Sequence, residues 1–213
     1  MVQQHFAAGI LPISWIGPNK TFSVCIGREL RGGVADFGGK CEPKLDRCTQ
    51  HCYHNQCLQN GTANSIIRLC PIATACREAY EESLGVLPHP TALCNRISPE
   101  NTVVLRSRTQ ANNAYVMFVT ELPWSPSMRS HFRKTLNFIR WKPQLNHRAI
   151  VEKDDLIWCS WDDLQHNMEK RTVFQQTLET HRALFERLNR MKPEDFPQLC
   201  RSMADDFKKN VYL

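Results

Sequence analysis

Three glutamates in one short segment have the spacing most suggestive of chemistry in this chain. Glu78, Glu81 and Glu82 stand at i, i+3 and i+4, and in a helix, at about 100° per residue, they share one face. Like charges at this spacing destabilise a helix by about 0.2–0.5 kcal/mol per pair, so this face is expected to hold a cation. Oxygen ligands suit Mg²⁺ or Mn²⁺. The alternative is a solvated acidic face with Arg77 as a counter-charge.

The opposite face of this predicted helix is apolar. Its members recur with the helical period and are expected to pack inward: Ile72, Ala75, Cys76, Ala79 and Tyr80. The carboxylates should therefore line a solvent-accessible edge of a helix that is firmly seated on the core.

A glycine pair upstream is the second feature with a chemical use. Gly38 and Gly39 would let the backbone approach a substrate closely or adopt a positive φ. Lys40 follows directly and offers a point charge for a phosphate group. A lone Gly-Gly pair is a weak signal, but it gains weight when the acidic helix follows it.

Together, residues 37–42 and 77–82 resemble the signature of the Nudix hydrolases, which is a Gly, a spaced Glu and then R-E-U-x-E-E-x-G-U. Residues 6–12 and 24–29 look like the first strands of the same family, and residues 154–164 look like its late strand, turn and helix. The resemblance covers roughly the first 165 residues, except for an insertion at 46–69.

This resemblance implies a fold and a domain plan. The fold class is α/β, a Nudix-like α/β/α sandwich with a mixed central sheet, in which the motif forms a loop and a helix at the sheet edge. Residues 1–165 would form the Nudix domain, with a Cys/His-rich insertion at 46–69. Residues 166–213 would be a C-terminal helical extension that packs on the same domain.

The resemblance also implies roles for the motif residues. Glu78, Glu81 and Glu82 correspond to the ligands of the divalent metal, and Glu81 and Glu82 are also counted as catalytic. Arg77 would fix the loop and a carboxylate. Glu42 matches a glutamate often found in the loop and is a weaker candidate for a ligand or base.

Other site residues are expected outside the motif helix. Family members draw a distant acidic residue from a later loop, and Glu152, or else Asp154 or Asp155, is the candidate. For substrate phosphates the candidates are Arg28, Gly38, Gly39 and Lys40, because they adjoin the strand and loop expected to face the pocket.

Two departures from the family pattern limit this transfer. The strict spacing puts a Glu six residues after the second Gly, and here Leu45 occupies that place, followed by Asp46. Counting back from Arg77 leads instead to Leu69. Either Asp46 substitutes for the Glu or that carboxylate is missing. The Gly after the double Glu also arrives one position late, as Gly85, so the helix exit is expected to be rebuilt.

The insertion at 46–69 is unexplained by the family resemblance. Cysteine and histidine residues crowd within it, and four of them could hold a tetrahedral Zn²⁺: Cys48, Cys52, His54 and Cys57. The spacing is not that of a standard zinc finger. Reduced thiols in a loop and disulfides are the alternatives. Because the insertion interrupts the catalytic loop, it is a candidate substrate selector.

Composition is consistent with one soluble enzyme domain. The chain has 213 residues, 42% hydrophobic and 23% charged, which suffices for one core with a modest appendage. No apolar run approaches about 18 residues and no export signal is visible, so a cytoplasmic or nuclear location and no membrane partner are expected. The net charge of +6 suits anionic phosphate substrates but also ordinary solubility.

Three functional interpretations remain open at this point. The first is a metal-dependent hydrolase that cleaves a phosphoanhydride bond in a nucleoside diphosphate linked to another group. Its substrates could be free nucleotides, NDP-sugars, dinucleoside polyphosphates, inositol pyrophosphates or capped RNA, so an RNA cap is one partner to consider. The second is a catalytically weak or inactive binding or regulatory module on the same fold. The third is a zinc-stabilised interaction protein.

Away from the motif, periodicity predicts the remaining helices. Residues 126–140 are expected to be helical, residues 174–188 to form one long amphipathic helix, and residues 196–207 to form a short helix. His181 lies on the apolar stripe of the long helix and is expected to be a satisfied core residue. Residues 88–100 are expected to be a loop.

Overall fold

The computed structural model describes residues 6–46, 70–142 and 151–211. The predicted zinc ligands Cys48, Cys52, His54 and Cys57 lie outside this part of the chain, and so does most of the insertion.

The described strands form one mixed sheet with the order β3-β2-β1-β6-β5, in which β4 also pairs with β1 and β7 with β2. Strand β1 runs parallel to β6, from Phe6 opposite Ala114 to Ile13 opposite Glu121, and the remaining pairs are antiparallel. The strands are β1 Phe6–Ile16, β2 Thr21–Glu29, β3 Val34–Ala35, β4 Phe37–Lys40, β5 Thr102–Arg108, β6 Ala114–Glu121 and β7 Lys153–Ser160.

Helices cover both faces of this sheet. They are α1 Pro71–Glu82, α2 Pro90–Arg96, α3 Met128–Trp141, α4 Trp161–Asn167, α5 Thr172–Thr180, α6 Arg182–Arg190, a 3₁₀ turn Pro193–Asp195, α7 Phe196–Ser202 and α8 Ala204–Val211.

Strand alternation divides the core into two layers. On β6, Val116 and Phe118 join a cluster with apolar residues of α1, α2 and α3. Tyr115, Met117 and Val119 face the other way and join a cluster with residues of α4 to α7. Both layers are buried, so the sheet lies between helices on each side. The predicted α/β/α sandwich with a mixed central sheet is therefore confirmed.

Two of the predicted helices are each divided into two helices. The predicted helix 174–188 is two helices, α5 and α6, because His181 has φ −110° and ψ 22° and interrupts the ladder. The ring of His181 is hydrogen-bonded to the carbonyl of Arg106 at 3.1 Å and so is satisfied as expected, but it is half-buried and not the core residue that the sequence predicts. The predicted helix 196–207 is likewise divided into α7 and α8 at Met203.

Residues 88–100, expected to be a loop, contain helix α2. Pro90 stands at its first position, where a missing N–H costs nothing and the fixed φ suits the helix. The His89 ring accepts a hydrogen bond from the Thr91 N–H at 3.4 Å. Proline interrupts a helix when it lies in the interior, but Pro90 lies at the first position and so begins helix α2.

A buried carboxylate on β7 anchors α3 to the sheet. Asp155 accepts hydrogen bonds from Arg129 (Nη2 to Oδ2, 2.5 Å) and Arg133 (Nη2 to Oδ2, 2.9 Å). Burial would raise the pKa of Asp155, but the hydrogen bonds from Arg129 and Arg133 lower it to about 2. Asp155, one of the alternatives for the distant metal ligand, is thus engaged by two arginines.

Replacing Asp155 with Asn is expected to lower the free energy of unfolding by about 1–3 kcal/mol at pH 7, because two charge-assisted bonds are removed. The folded-state pKa lies below the unfolded value of about 3.9, so this stabilisation is complete above that value and disappears as the pH falls through about 2. Urea unfolding at pH 7, 4 and 2.5 should show the difference between wild type and variant shrinking on acidification.

The control for this experiment is Glu186→Gln, which breaks the exposed Arg182–Glu186 pair. Such surface pairs contribute only about 0–1 kcal/mol. A loss in Asp155→Asn that stays constant across the three pH values would contradict the assignment of the effect to the ionised carboxylate.

Candidate active site

Helix α1 is placed by its first turn and by its apolar face. Cys70 is extended (φ −113°, ψ 110°) and Pro71 occupies the first helical position, which favours a helix start there. Ile72, Ala75 and Ala79 are buried in the cluster that also contains residues of β1, β4 and β6. Most of the predicted inward face therefore packs, but Tyr80 is half-buried and lies with the glutamates. The carboxylate edge, predicted to be solvent-accessible, is so at Glu81 but not at Glu82, which is buried.

Arg77 connects the helix glutamates to the chain that precedes the insertion. Its Nε and Nη2 donate to the two carboxylate oxygens of Asp46 at 2.8 and 3.0 Å. Its Nη1 donates to Glu81 at 2.9 Å, its Nη2 to the carbonyl of Lys40 at 3.1 Å, and Glu78 Oε1 lies 3.0 Å from the same Nη2. One guanidinium thus joins the loop after β4 to two glutamates of α1, the fixing role expected of it.

Asp46 occupies the place that the family resemblance gives to a Glu. It is 1% exposed, and besides Arg77 it accepts hydrogen bonds from the Glu42 N–H at 2.7 Å and the Thr74 hydroxyl at 3.0 Å. Of the two alternatives, substitution by Asp46 or a missing carboxylate, the structure has the first.

The backbone at Asp46 shows where the insertion enters the motif. The Cys70 N–H donates to the Asp46 carbonyl at 3.1 Å, so the chain on either side of residues 47–69 meets in one hydrogen bond. With those residues left out, the seven residues 70–76 separate Asp46 from Arg77, which is the spacing counted back from Arg77 in the family pattern. This spacing makes Asp46 the candidate for the motif carboxylate, and the insertion predicted at 46–69 begins with the same residue.

Glu82 is held at the inner end of the site. It is 4% exposed, and its Oε2 accepts a hydrogen bond from the Gly38 N–H at 2.8 Å. Its Oε1 accepts no hydrogen bond from the described residues, although the Lys153 ammonium lies 3.4 Å away. Burial raises the pKa of Glu82 to about 8 in spite of the opposing effect of Lys153. A buried carboxylate oxygen is thus available to a cation.

Lys153 is a charged residue next to Glu82 that the sequence did not predict to be part of the site. It is 1% exposed, and its ammonium also donates to Glu29 at 3.0 Å, which in turn accepts from Arg171 at 3.1 Å. A Cβ on Gly27 would lie 2.7 Å from Lys153 Cδ, so Gly27 makes room for the lysine. Only the pairing of β2 with β7 brings these residues together, and nothing local in the sequence signals it.

Residues 38–40, predicted to form a loop, belong to strand β4. This segment, called the glycine loop below after that prediction, lies directly against Glu78. A Cβ on Gly39 would meet the Glu78 carboxyl group, with Cδ at 2.5 Å. A Cβ on Gly38 would lie 2.5 Å from Gly9 Cα and 2.8 Å from the Tyr115 hydroxyl. The glycine pair thus allows close packing against protein atoms. Neither glycine has a positive φ, the second of the two uses expected for the pair, and close approach to a substrate stays a prediction. Burial raises the pKa of Glu78 to about 7 against the opposing effect of Arg77.

A cavity of about 540 Å³, here called the carboxylate cavity, brings the predicted acidic residues together. Its lining includes Glu78, Glu81, Glu82, Tyr80, Leu84, Gly85, Ile139 and Glu152. Glu152, the distant acid expected from a later loop, is therefore placed with the helix glutamates. The other alternative, Asp154, is not among these lining residues.

Two predicted residues lie apart from this cavity. Glu42 is 60% exposed, and its Oε1 is 4.0 Å from Arg77 Nη1. Arg28 is exposed on β2. Neither is among the residues that line the carboxylate cavity.

A second cavity of about 390 Å³, the loop cavity, lies against the other side of the glycine loop. Gly38, Gly39 and Lys40 line it, so three of the four predicted substrate-binding residues share one wall. The remaining walls carry residues that the sequence reading did not assign to a site, including Asp36, Tyr115, Arg171 and Phe174.

Asp36 is the buried acid of the loop cavity. It accepts a hydrogen bond from the Tyr115 hydroxyl. Burial raises the pKa of Asp36 to about 6, although the Tyr115 hydrogen bond and then Lys153 act in the opposite direction. The loop cavity thus combines an acid and the cations Lys40 and Arg171 with the aromatic ring of Phe174.

The carboxylate cavity fits a hard divalent cation in its donor chemistry. Four carboxylates line it, and Glu82 Oε1 is buried without a hydrogen bond from the described residues. Oxygen donors of this kind are those preferred by Mg²⁺ and Mn²⁺. In the part of the chain that the structure describes, no three acidic, histidine or cysteine side chains converge on one point. Arg77 pairs with Glu78 and Glu81, and Lys153 with Glu82.

Helix α1 is followed by two residues in the left-handed region. Leu84 has φ +55° and Gly85 has φ +76°, and the Gly85 N–H donates to the Tyr80 carbonyl at 2.8 Å. The first left-handed position therefore carries a leucine, which is unusual because the left-handed region favours glycine.

Comparison with known proteins concerns the fold. No protein-family model matches the chain, and no curated protein matches it either. Among solved structures it is similar to the NUDIX domain of Shewanella oneidensis NrtR in complex with ADP ribose, with 14% identity, a TM-score of 0.47, and coverage of 86% of this chain and 90% of that chain. A Nudix domain is therefore among its structural neighbours, at low sequence identity.

Two further structures complete this comparison. The Nudix hydrolase from Alicyclobacillus acidocaldarius has 15% identity and a TM-score of 0.47, with 93% of this chain and 97% of that chain covered. The complex between the C-terminal domain of mouse MUTYH and human PCNA has 9% identity and a TM-score of 0.42, with 85% and 90% covered. All three identities are below 25% and all three TM-scores are below 0.5, so these likenesses carry no argument about the activity of this chain.

None of the helices in the described residues combines the length and apolar character needed to span a bilayer.

Proposed function

We propose that this protein is a Nudix-type pyrophosphohydrolase, a divalent-metal-dependent enzyme that cleaves a phosphoanhydride bond in a nucleoside diphosphate linked to another group. The observation that carries the proposal is the carboxylate cavity, in which Glu152 joins Glu78, Glu81 and Glu82 next to the glycine loop. A site of this composition is typical of metal-assisted hydrolysis of phosphate esters and anhydrides.

Glu78, Glu81 and Glu82, with Glu152, are the residues that would hold Mg²⁺ or Mn²⁺. When bound, the metal would neutralise phosphate charge and lower the pKa of a water molecule. The burial that raises the pKa of Glu78 and Glu82 favours their pairing with a cation over ionisation alone.

The chain itself supplies the positioning. The Gly38 N–H fixes Glu82, and Arg77 ties Glu81 to the loop carbonyl of Lys40. Glu152 is exposed and lines the cavity, so it can accept a proton from an attacking water and release it to solvent. Glu42 does not line the carboxylate cavity and is not required for this step.

The loop cavity is the proposed substrate pocket. Lys40 and Arg171 provide cations for phosphate oxygens, whereas Phe174 and Phe6 provide apolar surface for the remainder of the substrate. Asp36 adds a buried acceptor for an N–H or O–H group. This combination suits a nucleotide, whose charged and planar parts would contact different walls.

The decisive experiment is a hydrolysis screen. Free nucleoside triphosphates, NDP-sugars, dinucleoside polyphosphates, inositol pyrophosphates and capped RNA would be incubated with the full chain and either Mg²⁺ or Mn²⁺. At least one phosphoanhydride should be cleaved, and excess chelator should abolish the cleavage. Undiminished cleavage with chelator present would exclude the proposed metal chemistry.

The matched pair Lys40→Ala and Arg28→Ala tests the proposed pocket. Both changes remove one exposed cation that the sequence assigns to substrate phosphates, but only Lys40 lines the loop cavity. For the best substrate, Lys40→Ala should raise KM by about 5- to 20-fold, the range expected for one charge-assisted contact. Arg28→Ala should leave KM within about twofold. The same KM change in both variants would contradict the assignment of the pocket.

A second candidate function is a binding or regulatory module without hydrolysis. It is favoured by one observation, that Arg77 and Lys153 engage the glutamates and no three carboxylates converge in the described residues. Calorimetric titration with a nucleotide, in the presence and in the absence of Mn²⁺, separates the two, because a binding module of this kind would bind the nucleotide with the same affinity in both cases.

A further inference from the structure

Helix α3 carries a one-sided charge. Between Met128 and Trp141 it contains no Asp or Glu, and its basic residues are exposed: Arg129, Arg133, Lys134 and Arg140. Lys142 follows directly after the helix. Met128, Phe132 and Leu136 on the opposite face are buried, so the helix is anchored on the core and its cationic side is turned to solvent.

Two aromatic side chains are exposed at the end of this cationic face. Phe138 is 57% and Trp141 is 74% exposed, and at i and i+3 they are neighbours on the helix surface. Lys142 Nζ lies 5.4 Å from the Phe138 ring centre and 5.1 Å from that of Trp141. Large exposed aromatic rings grouped with cations indicate an interaction surface.

This surface adjoins the candidate active site. Ile139, the residue after Phe138, lines the carboxylate cavity. Asp155 holds Arg129 and Arg133 in place, which fixes the position of the basic side chains on the anchored helix. A polymer lying along α3 would therefore have one end near the cavity.

We propose that the exposed face of α3 binds single-stranded nucleic acid. Lys134, Arg140 and Lys142 would contact backbone phosphates, and Phe138 and Trp141 would stack on unpaired bases. Cationic residues interleaved with aromatic rings suit this polyanion because every base presents a planar face. An acidic peptide would satisfy the charges but leave both rings unmatched. This binding goes beyond the proposed hydrolysis and does not depend on it.

Fluorescence anisotropy with a labelled oligouridylate of about 12 nucleotides, a length typical of such sites, tests the proposal. The full chain would be titrated in chelator, so that binding is measured without hydrolysis. The double variant Phe138→Ala/Trp141→Ala should weaken binding by at least about fivefold, since stacking on one base alone has about that effect. The variant Lys134→Gln/Arg140→Gln should reduce the salt dependence, by about 0.7 in log–log slope for each phosphate that the protein no longer neutralises.

Trp124→Ala is the matched control, because Trp124 is exposed but lies outside α3. It should bind the oligonucleotide like wild type. A duplex of the same length should bind more weakly than the single strand, since its bases are already stacked. The melting temperature of the aromatic double variant should match that of wild type, because both rings are exposed.

Three outcomes would overturn the proposal. They are unchanged affinity in the aromatic double variant, equal affinity for polyglutamate of similar length, and a large fall in melting temperature that shows the rings to be packing residues. Hydrolysis of a small phosphoanhydride, measured in the same variants, reports on the proposed function separately. It should be unchanged, so a failure of nucleic-acid binding and a failure of hydrolysis can be told apart.

Discussion

Replacing Glu82 by Gln is expected to lower phosphoanhydride turnover by at least about 100-fold, because metal-based charge stabilisation supplies several kcal/mol. Glu82 is the glutamate placed deepest in the carboxylate cavity, with one oxygen on the Gly38 N–H and the other free of hydrogen bonds from the described residues. Gln retains the first contact but removes the charge. Mn²⁺ titration calorimetry should show a parallel loss of metal affinity.

The same substitution should not destabilise the metal-free protein. The folded-state pKa of Glu82 is raised to about 8, so the folded state binds the proton more tightly than the unfolded state does. The ionised carboxylate therefore opposes folding increasingly as the pH rises from the unfolded value of about 4.3 towards 8. At pH 7 the melting temperature of Glu82→Gln should equal or exceed that of wild type, with Lys153 still paired to Glu29.

Glu42→Gln is the comparison variant. Its carboxylate is 60% exposed at the rim of the motif, so its removal should change turnover by less than about threefold. Full activity in Glu82→Gln would rule out the metal assignment. Equal losses in both variants would mean that the carboxylates act only through their general charge.

The sequence predicted the parts of the site that depend on local periodicity. Most of the predicted apolar stripe of α1 is the stripe that packs, so the glutamates fall on the remaining arc, where Glu81 is exposed but Glu82 is buried. Gly38, Gly39 and Lys40 are adjacent to that helix in the motif and also in space. Such features follow from helical geometry and from short-range spacing.

The parts that escaped prediction depend on strand pairing and chain closure. Lys153 reaches Glu82 only because β7 pairs with β2, where Gly27 leaves room for its side chain. No residue near Lys153 in the sequence distinguishes it from a surface lysine. The sequence also does not predict that the helix expected at 174–188 is divided at His181. Apolar residues continue to recur with the helical period on both sides of the break.

The insertion illustrates a third limit. Sequence spacing alone left Asp46 undecided, since a strict count from either end of the motif falls on a leucine. The hydrogen bond between Cys70 and Asp46 joins the two ends and restores the spacing on the Arg77 side. A motif interrupted by a long excursion can be read correctly only when the positions at which the chain leaves and returns are known.

Asp46→Ala is therefore expected to be among the most destabilising single substitutions in the motif. It removes both carboxylate contacts of Arg77 and the acceptor for Glu42 and Thr74. Breaking a buried pair in this way costs about 3–5 kcal/mol, and the remaining contacts of Arg77 with Glu78 and Glu81 place the expected loss near the lower end, at about 3 kcal/mol. Urea unfolding of the metal-free full chain measures it.

Two further substitutions separate the contributions. Asp46→Asn retains acceptors for the Thr74 hydroxyl and the Glu42 N–H but loses the charge opposite Arg77, so a loss of about 1–3 kcal/mol is expected. Asp162→Asn, at an exposed position in the first turn of α4, should change stability by less than about 1 kcal/mol. If Asp46→Ala were as stable as Asp162→Asn, the Asp46 carboxylate would not be the group that holds Arg77 and the loop after β4 together. Arg77 would then be held by the helix glutamates alone, and the loop carrying Lys40 would depend on them for its position.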